Sequence, residues 1–384
     1  MAELDVPLDE LDTFSLLLPL PYRLASTLVL GVWLWGVNLQ VLQRHGIDTP
    51  ALIRYSARTD PPPHLSVYRF ATVLTTPLAA SLIYFWWWTA GGQQERVIAH
   101  SLVPNVTLIL VLALAFLIPQ RWLYPREFWP ATGRLRLLHT FRRILVGGIA
   151  RPEEGKFGDV LLADALTSYS RPLSELYIVF YMMAHQQATT NRIDRSSAIA
   201  VPIIMSIPFV IRFKQCITDW QPYNALKYAT AFPAIAVSTF MRLEEPYINH
   251  GNLHAIWMLT ALTNALYSYY WDVTRDWDLT LLTPKRASPD HPYGLRRTRI
   301  FSDTRLYYAM IFIDLLLRFA WALKLSPHLE HYYDIELGIF LLELLEVVRR
   351  FLWIFFRIET EWVRSRQPSG MVVLSELGPK IDED

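Results

Sequence analysis

Apolar stretches bounded by polar loops recur along the whole chain. Several run for about 17–23 residues, long enough to cross a hydrocarbon core of roughly 30 Å as α-helices. The pattern predicts nine spans, at residues 22–42, 66–88, 102–118, 160–183, 198–213, 225–240, 253–271, 306–325 and 335–356. The fifth and sixth are short and polar at their ends, so eight to ten spans fit the pattern. We therefore expect an all-α polytopic membrane protein without a separate soluble domain.

Residues 134–146 follow a different pattern. Apolar positions recur there at helical spacing, but Arg134, Arg136, Arg142 and Arg143 lie among them. A segment with this much charge does not span a bilayer, and it fits an amphipathic helix in the membrane interface.

Composition agrees with a membrane protein. Hydrophobic residues make up 52% of the chain and charged residues only 18%, whereas about 25% are charged in ordinary soluble domains. The net charge of +1 comes from basic residues dispersed among the loops, so no nucleic-acid partner is expected. The single cysteine, Cys216, excludes an intramolecular disulfide and a Cys-based metal cluster.

Lysine and arginine are distributed unequally between alternate loops. One set of loops carries about two dozen, and the other set only four, which are Arg96, Arg192, Arg195 and Arg242. By the positive-inside rule the C-terminus is cytosolic and the N-terminus lumenal or extracellular, which requires an odd number of spans. Residues 1–12 lack the basic region that begins a cleavable signal peptide, so the first span is expected to be an uncleaved anchor.

Ionisable side chains inside the last six spans are the most informative residues. Each costs on the order of 2.5–3.5 kcal/mol at the bilayer centre on insertion scales, so it must face protein or water and find partners. A lysine and arginines in such an interior would suit an anion pathway, because they replace the water that an oxyanion gives up. The polar and charged residues concerned are Asp164, Thr167, Ser168, Ser170, Arg171, Glu175, Lys227, Asp272, Asp276, Asp314, Arg318, Glu343, Glu346, Arg349 and Arg350.

Structural explanations compete with the functional one. Asp164, Thr167 and Arg171 are spaced to share one helical face. Asp314 and Arg318 are spaced as an intrahelical ion pair that neutralises itself, and so are Glu346 and the two arginines that follow it. Arg318 is mid-span and has the least ordinary explanation. The residues that would be solvated or would snorkel to the interface are Lys227, Asp272, Asp276, Arg349 and Arg350. The aromatic cluster at 353–356 is expected to anchor its helix at the interface or to pack.

Signals for other chemistry are weak. No Gly-rich phosphate loop, HExxH or G-x-S-x-G motif occurs, so neither an enzyme nor a cofactor is expected. His250 and His254 lie at i, i+4 without an evident third ligand, so no metal site is predicted. A membrane-embedded glycosyl- or acyltransferase has only scattered His and Asp residues in its favour.

Six segments in order resemble the EXS domain, the membrane domain of the family that includes the xenotropic and polytropic retrovirus receptor and the plant phosphate exporters. They are GDVLLADALTSYS (158–170), PFVIRFKQCITDW (208–220), NALKYATAF (224–232), YSYYWDVTRDWDL (267–279), YYAMIFIDLLLRFAW (307–321) and LEVVRRFLWIFFRIETE (345–361). WGVNLQVLQRHGID (35–48) resembles the family's early WGxN…GxN motif.

The resemblance implies export of inorganic phosphate through a bundle of the last six spans. Thr167 stands where the exporters usually have Asn, and it keeps a hydrogen-bonding group without the amide donor. The family's phosphate-pathway positions fall on Asp164, Thr167, Ser170, Lys227, Asp276, Arg318, Trp321, Glu346, Arg349 and Arg350.

The exporters carry a long N-terminal SPX sensor domain and an extra first span, whereas only about 20 residues precede the first span here. This short form resembles the fungal ER-retention-defective proteins of the Golgi. They are implicated in returning phosphate from the Golgi lumen to the cytosol and in retaining glycosyltransferases and lumenal ER proteins. The implied organisation is a lumenal N-terminus (1–21), three spans (22–118), a basic cytosolic loop (119–158), an EXS bundle (159–364) and a disordered cytosolic tail (365–384).

Two hypotheses follow. The first is a multi-pass Golgi membrane transporter or channel that moves phosphate from lumen to cytosol. The second is a non-transporting adaptor that sorts Golgi enzymes into recycling vesicles through the basic segments 134–143 and 285–299. The expected partners are phosphate, membrane lipid, and Golgi glycosyltransferases or coat components, and a homodimer is left open.

Overall fold

A computed structural model describes residues 12–55, 62–117, 131–185, 195–243, 250–287, 289, 291–320 and 336–366. Every regular element within these residues is helical, as the apolar pattern predicts. The α-helices are α1 (Thr13–Leu17), α2 (Leu20–Arg44), α3 (Thr49–Leu52), α4 (Pro63–Trp88), α5 (Gln94–Ala99), α6 (Leu102–Leu112), α7 (Ala131–Leu145), α8 (Lys156–Ser168), α9 (Ser170–Ala184), α10 (Arg195–Thr218), α11 (Pro222–Ala229), α12 (Ala231–Leu243), α13 (His250–Trp271), α14 (Thr304–Arg318) and α15 (Glu336–Arg366). Short π-helical turns follow α6 (Ala113–Leu117) and α13 (Asp272–Asp276).

Three stretches in the described part of the chain are long and apolar enough to cross a membrane. They are α2, α4 and the Ile199–Thr218 portion of α10. The apolar stretch Leu102–Leu117 is shorter. The count of nine spans therefore stays a prediction, and the end of the predicted eighth span lies outside the described residues.

The predicted fourth span is not one continuous helix. It breaks at Tyr169, where α8 ends and α9 begins. Pro172 in the first turn of α9 has no N–H to donate to the carbonyl of Ser168, and its ring crowds that carbonyl. The prediction that Arg171 shares a helical face with Asp164 was therefore wrong.

The predicted sixth span breaks in the same way. Its two halves, α11 and α12, meet at Thr230. Pro233 in the first turn of α12 cannot donate a hydrogen bond to the carbonyl of Ala229. Each break thus falls within three residues of a predicted phosphate-pathway residue, Thr167 in α8 and Lys227 in α11.

Two apolar cores hold the helices together. One joins α2, α4, α6 and α9 around Tyr22 and Phe85. The other gathers the end of α2, α8, the turn after α13, α14 and α15 around Trp277, Tyr307 and Trp353. Helix α15 packs against α2, α8 and α14, and it continues to Arg366, well beyond its predicted end at residue 356.

The predicted amphipathic segment is helix α7, which leaves Leu135 and Leu137 exposed. Arg143 joins α7 to the first turn of α8 by donating hydrogen bonds of 2.7 Å from Nε and 2.5 Å from Nη2 to the carboxylate of Asp159. These bonds raise the pKa of Arg143 above its ordinary value. The interface segment is therefore fixed to the helix that carries Asp164.

A buried ion pair ties the segment before α14 to α15. Glu359 is fully buried, and its Oε2 lies 2.8 Å from Nη2 of Arg296. Its Oε1 accepts hydrogen bonds from the backbone N–H of Ile300 at 2.7 Å and from the hydroxyl of Tyr307 at 2.5 Å.

Glu359→Ala should lower the free energy of unfolding by about 3–5 kcal/mol, because it leaves Arg296 buried without its carboxylate. Denaturant titration of the purified protein in detergent micelles measures this effect. Glu95→Ala, at an exposed site on α5, is the matched control and should change stability by about 0.5 kcal/mol or less. Equal unfolding curves for the two variants would contradict a stabilising role for the pair.

Candidate functional site

A fully buried carboxylate, Asp272, lies at the centre of the charged interior. Its Oδ1 accepts a hydrogen bond of 2.9 Å from Nζ of Lys227 in α11. Its Oδ2 accepts from Arg318 of α14, with Nε at 3.1 Å, and lies 3.5 Å from Nη1 of Arg349 in α15. Cations from three helices thus share one carboxylate, which stands in a π-helical turn of the kind that often marks functional sites.

The expected intrahelical pairs exist, but they are parts of this larger network. Arg318 Nε lies 3.4 Å from Asp314, and Arg349 donates to Glu346 at 2.9 and 2.5 Å. Arg349 also reaches Asp314 at 3.4 Å, and both arginines contact Asp272. Self-neutralising pairs therefore do not account for these charges by themselves.

The alternative that the charged residues at the span ends are solvated or snorkel to the interface is wrong. Lys227 lies between two carboxylates, with Asp276 at 3.0 Å in addition to Asp272. Arg349 and Arg350 are 4% and 7% exposed near the middle of α15. The protein encloses all of these groups.

Arg350 differs from the other cations of the cluster. Its Nε donates to the hydroxyl of Ser168 at 3.0 Å, and its Nη2 donates to the hydroxyl of Thr167 at 3.1 Å. Its guanidinium lies 4.4 Å from the ring centroid of Trp353, which is fully buried. Within the part of the chain that the structure describes, it forms no salt bridge. Its direct contacts among the described residues are therefore with two neutral hydroxyls and a π-face.

Asp164 pairs with Arg212 of α10, a residue that the predicted pathway does not include. Its Oδ1 lies 2.6 Å from Nε of Arg212 and accepts a hydrogen bond of 2.5 Å from the hydroxyl of Tyr228. Arg212 in turn donates to Gln215 at 2.7 Å, and Gln215 donates to the carbonyl of Gly148 at 2.8 Å. The sequence reasoning missed Arg212 because it placed the end of the fifth span at residue 213, whereas α10 continues to Thr218. An arginine in the apolar run PFVIRF was the available signal.

The structure connects most of the predicted pathway residues through contacts with Asp272 and Ser168, two residues noted as intramembrane polar groups but not assigned to the pathway. Ser168 accepts from Arg350 and donates to Glu346 at 2.8 Å. Ser170 is half-buried at the start of α9, and Trp321 lies outside the described residues. The predicted residues joined by this network are Thr167, Lys227, Asp276, Arg318, Glu346, Arg349 and Arg350.

Among the described residues, no group of three or more His, Cys, Asp or Glu side chains is arranged to hold a metal ion. The buried carboxylates of the cluster instead face lysine and arginine. These carboxylates are therefore engaged by cations of the protein itself.

Asp272→Asn should destabilise the protein by about 3–5 kcal/mol, because it preserves shape but leaves three buried cations without their shared carboxylate. Asp276→Asn is the comparison, because Asp276 contacts Lys227 closely and the central arginines not at all. Thermal unfolding of both purified variants measures the difference. Similar melting temperatures would show that Asp272 is not the centre of the network.

Comparison with known proteins gives this geometry a context. Protein ERD1 homolog 1 of Schizosaccharomyces pombe is 32% identical over 58% of this chain and 61% of its own length. Protein ERD1 of Saccharomyces cerevisiae is 25% identical over 90% and 93%, and phosphate transporter PHO1 homolog 8 of Arabidopsis thaliana is 26% identical over 88% and 44%. The chain thus spans about three fifths of the length of the Schizosaccharomyces pombe relative.

The family match extends over both apolar cores and over the charged network. It covers residues 18–363 and is described as the EXS family. This confirms the resemblance seen in the ordered motifs and agrees with the helical architecture. The chain belongs to the EXS family.

Proposed function

We propose that the chain is a Golgi inorganic phosphate transporter or channel that moves phosphate from the lumen to the cytosol and thereby supports retention of Golgi glycosyltransferases and ER proteins. The observation that carries this proposal is the environment of Arg350. It is a buried guanidinium that donates to two hydroxyls and forms no salt bridge among the described residues.

A buried cation without a directly paired carboxylate is costly, and a bound oxyanion reduces that cost. Arginine presents a planar fork that matches two phosphate oxygens. The hydroxyl protons of Thr167 and Ser168 are donated to the carbonyl of Asp164 and to Glu346, and on phosphate binding each hydroxyl can turn to donate to a phosphate oxygen or accept from a P–OH group. They therefore suit both HPO₄²⁻ and H₂PO₄⁻.

Release matters as much as binding in a transport site, because an ion that binds too tightly does not leave. Glu346 already receives hydrogen bonds from Arg349 and Ser168. When phosphate departs, Arg318 and Arg349 retain carboxylates to pair with, and Arg350 retains the two hydroxyls. Phosphate thus competes with the protein's own anions, which keeps its affinity moderate.

The broken helices support the same function. Transporters commonly build their substrate sites from discontinuous helices whose exposed N-terminal ends attract anions. Helix α9 begins at Ser170, directly after the break that follows Thr167 and Ser168. Its N-terminal end therefore lies beside the hydroxyls that Arg350 contacts.

The lumen-to-cytosol direction of phosphate movement and the Golgi as the compartment are supported by different observations. The loop distribution of Lys and Arg favours a cytosolic C-terminus and a lumenal N-terminus. The Arabidopsis relative is named as a phosphate transporter, and the Golgi assignment follows from the resemblance to the short fungal proteins.

Arg350→Gln should reduce phosphate flux about 10- to 100-fold, because charge-assisted hydrogen bonds contribute about 1.5–3 kcal/mol. The measurement is uptake of radiolabelled phosphate by liposomes that contain the purified full chain. Arg364→Gln, at an exposed position on the same helix, is the matched control and should retain the flux.

Three outcomes separate the alternatives. Wild-type protein that passes no phosphate would reject the transporter proposal, and normal flux through Arg350→Gln would reject the site. Rescue of a deletion strain distinguishes the adaptor hypothesis. If Arg350→Gln abolishes flux but still restores retention of Golgi enzymes, retention does not depend on transport.

A further inference from the structure

A second charged cluster lies between α2, α9 and α15, outside the network around Asp272. It contains Glu175 of α9 and Glu343 of α15, both buried in the protein interior. Both carboxyl groups approach the guanidinium of the same arginine, Arg171 of α9. Nε of Arg171 lies 3.2 Å from Oε1 of Glu343 and 3.9 Å from Oε1 of Glu175.

The other charged groups that face this pair neutralise each other. Nη1 of Arg23 in α2 lies 2.5 Å from Oε2 of Glu336 at the start of α15. Arg171, whose side chain is 36% exposed, is therefore the cation left to balance two buried carboxyl groups among the described residues. If both were ionised, one negative charge would remain buried without a counter-charge.

Two buried carboxyl groups that share one arginine repel each other if both are ionised, and since an ionised carboxylate can only accept hydrogen bonds, a proton on one of them is needed for the two groups to interact favourably. One shared proton also removes the excess charge, as in other sites where two carboxylates lie together. We propose that Glu175 and Glu343 hold one exchangeable proton between them, and that loading of this proton is coupled to phosphate movement. The coupling rests on the proposed function, whereas the shared proton does not.

The position of the pair explains how the coupling would act. Glu343 precedes Glu346 by three residues and Arg350 by seven, so all three share one face of α15. Three residues correspond to about 4.5 Å along a helix. In the proposed orientation the pair lies on the lumenal side of Arg350. Its second negative charge would repel entering phosphate, and protonation removes that repulsion.

Infrared difference spectroscopy on the full chain in vesicles tests the proton directly. Wild-type protein should show absorbance from the C=O stretch of a protonated carboxyl group. Glu343→Gln and Glu175→Gln should each lose it, because Arg171 then faces a single carboxylate, and Glu343→Asp should regain it. Glu95→Gln, at an exposed site on α5, is the control and should keep the band. A band that persists in both Gln variants would overturn the shared proton.

Phosphate flux at different lumenal pH tests the coupling. Wild-type flux should rise as lumenal pH falls, and Glu343→Gln should be less sensitive to pH, because its pair cannot lose a proton. Titration of phosphate itself contributes equally to both. Identical pH profiles with measurable flux would overturn the coupling alone. Absence of flux in the wild type would overturn the proposed function and the coupling with it, while the infrared result would still decide the shared proton.

Discussion

Burial of charge around Asp272 is the constraint on which the rest of the bundle depends. Four elements, α11, the turn after α13, α14 and α15, can bury charged side chains there because these groups compensate one another. Removing one partner from such a cluster costs far more than the cluster contributes when complete. In the described residues, the carboxylates Asp164, Asp272, Asp276, Asp314 and Glu346 face the cations Lys227, Arg212, Arg318, Arg349 and Arg350. Overall balance permits folding, and the local imbalance at Arg350 leaves room for an anion.

Residue type and span position were enough to single out Lys227, Arg318, Arg349 and Arg350, because the cost of burying a charge is independent of the partner that relieves it. Partners were harder to predict. Asp272 stands at the end of a predicted span, where a carboxylate is as readily solvated as buried, and only the packing of α11, α14 and α15 makes it the shared acceptor. Arg212 escaped notice for the same reason, since the predicted boundary put it one residue from a loop.

The apolar pattern did not predict the two helix breaks either. Pro172 and Pro233 each stand in the first turn of a new helix, a position that proline tolerates well, so neither interrupts the run of hydrophobic residues. Hydropathy therefore predicts one helix where the backbone forms two. The consequence is functional, because the ends of α8 and α11 hold Thr167, Ser168 and Lys227 where helices would otherwise carry them away from one another. The aromatic cluster at 353–356 shows a similar limit: Trp353 packs inside against Arg350, and its spacing alone does not distinguish that from an interfacial anchor.

The two clusters on α15 differ in the sign of the charge that lacks a partner. At Glu175 and Glu343 the surplus is negative unless a proton is bound, and at Arg350 it is positive. In the proposed function, an anion that approaches from the side of the pair would meet repulsion first and attraction afterwards, so the proton would govern entry and the arginine occupancy. Because both groups lie on one rigid helical face, a change of charge at the first acts electrostatically on the second without any rearrangement of the fold. An adaptor that only displayed cytosolic loops would need neither the surplus positive charge nor the paired carboxyl groups, and the cost of burying both would be unexplained.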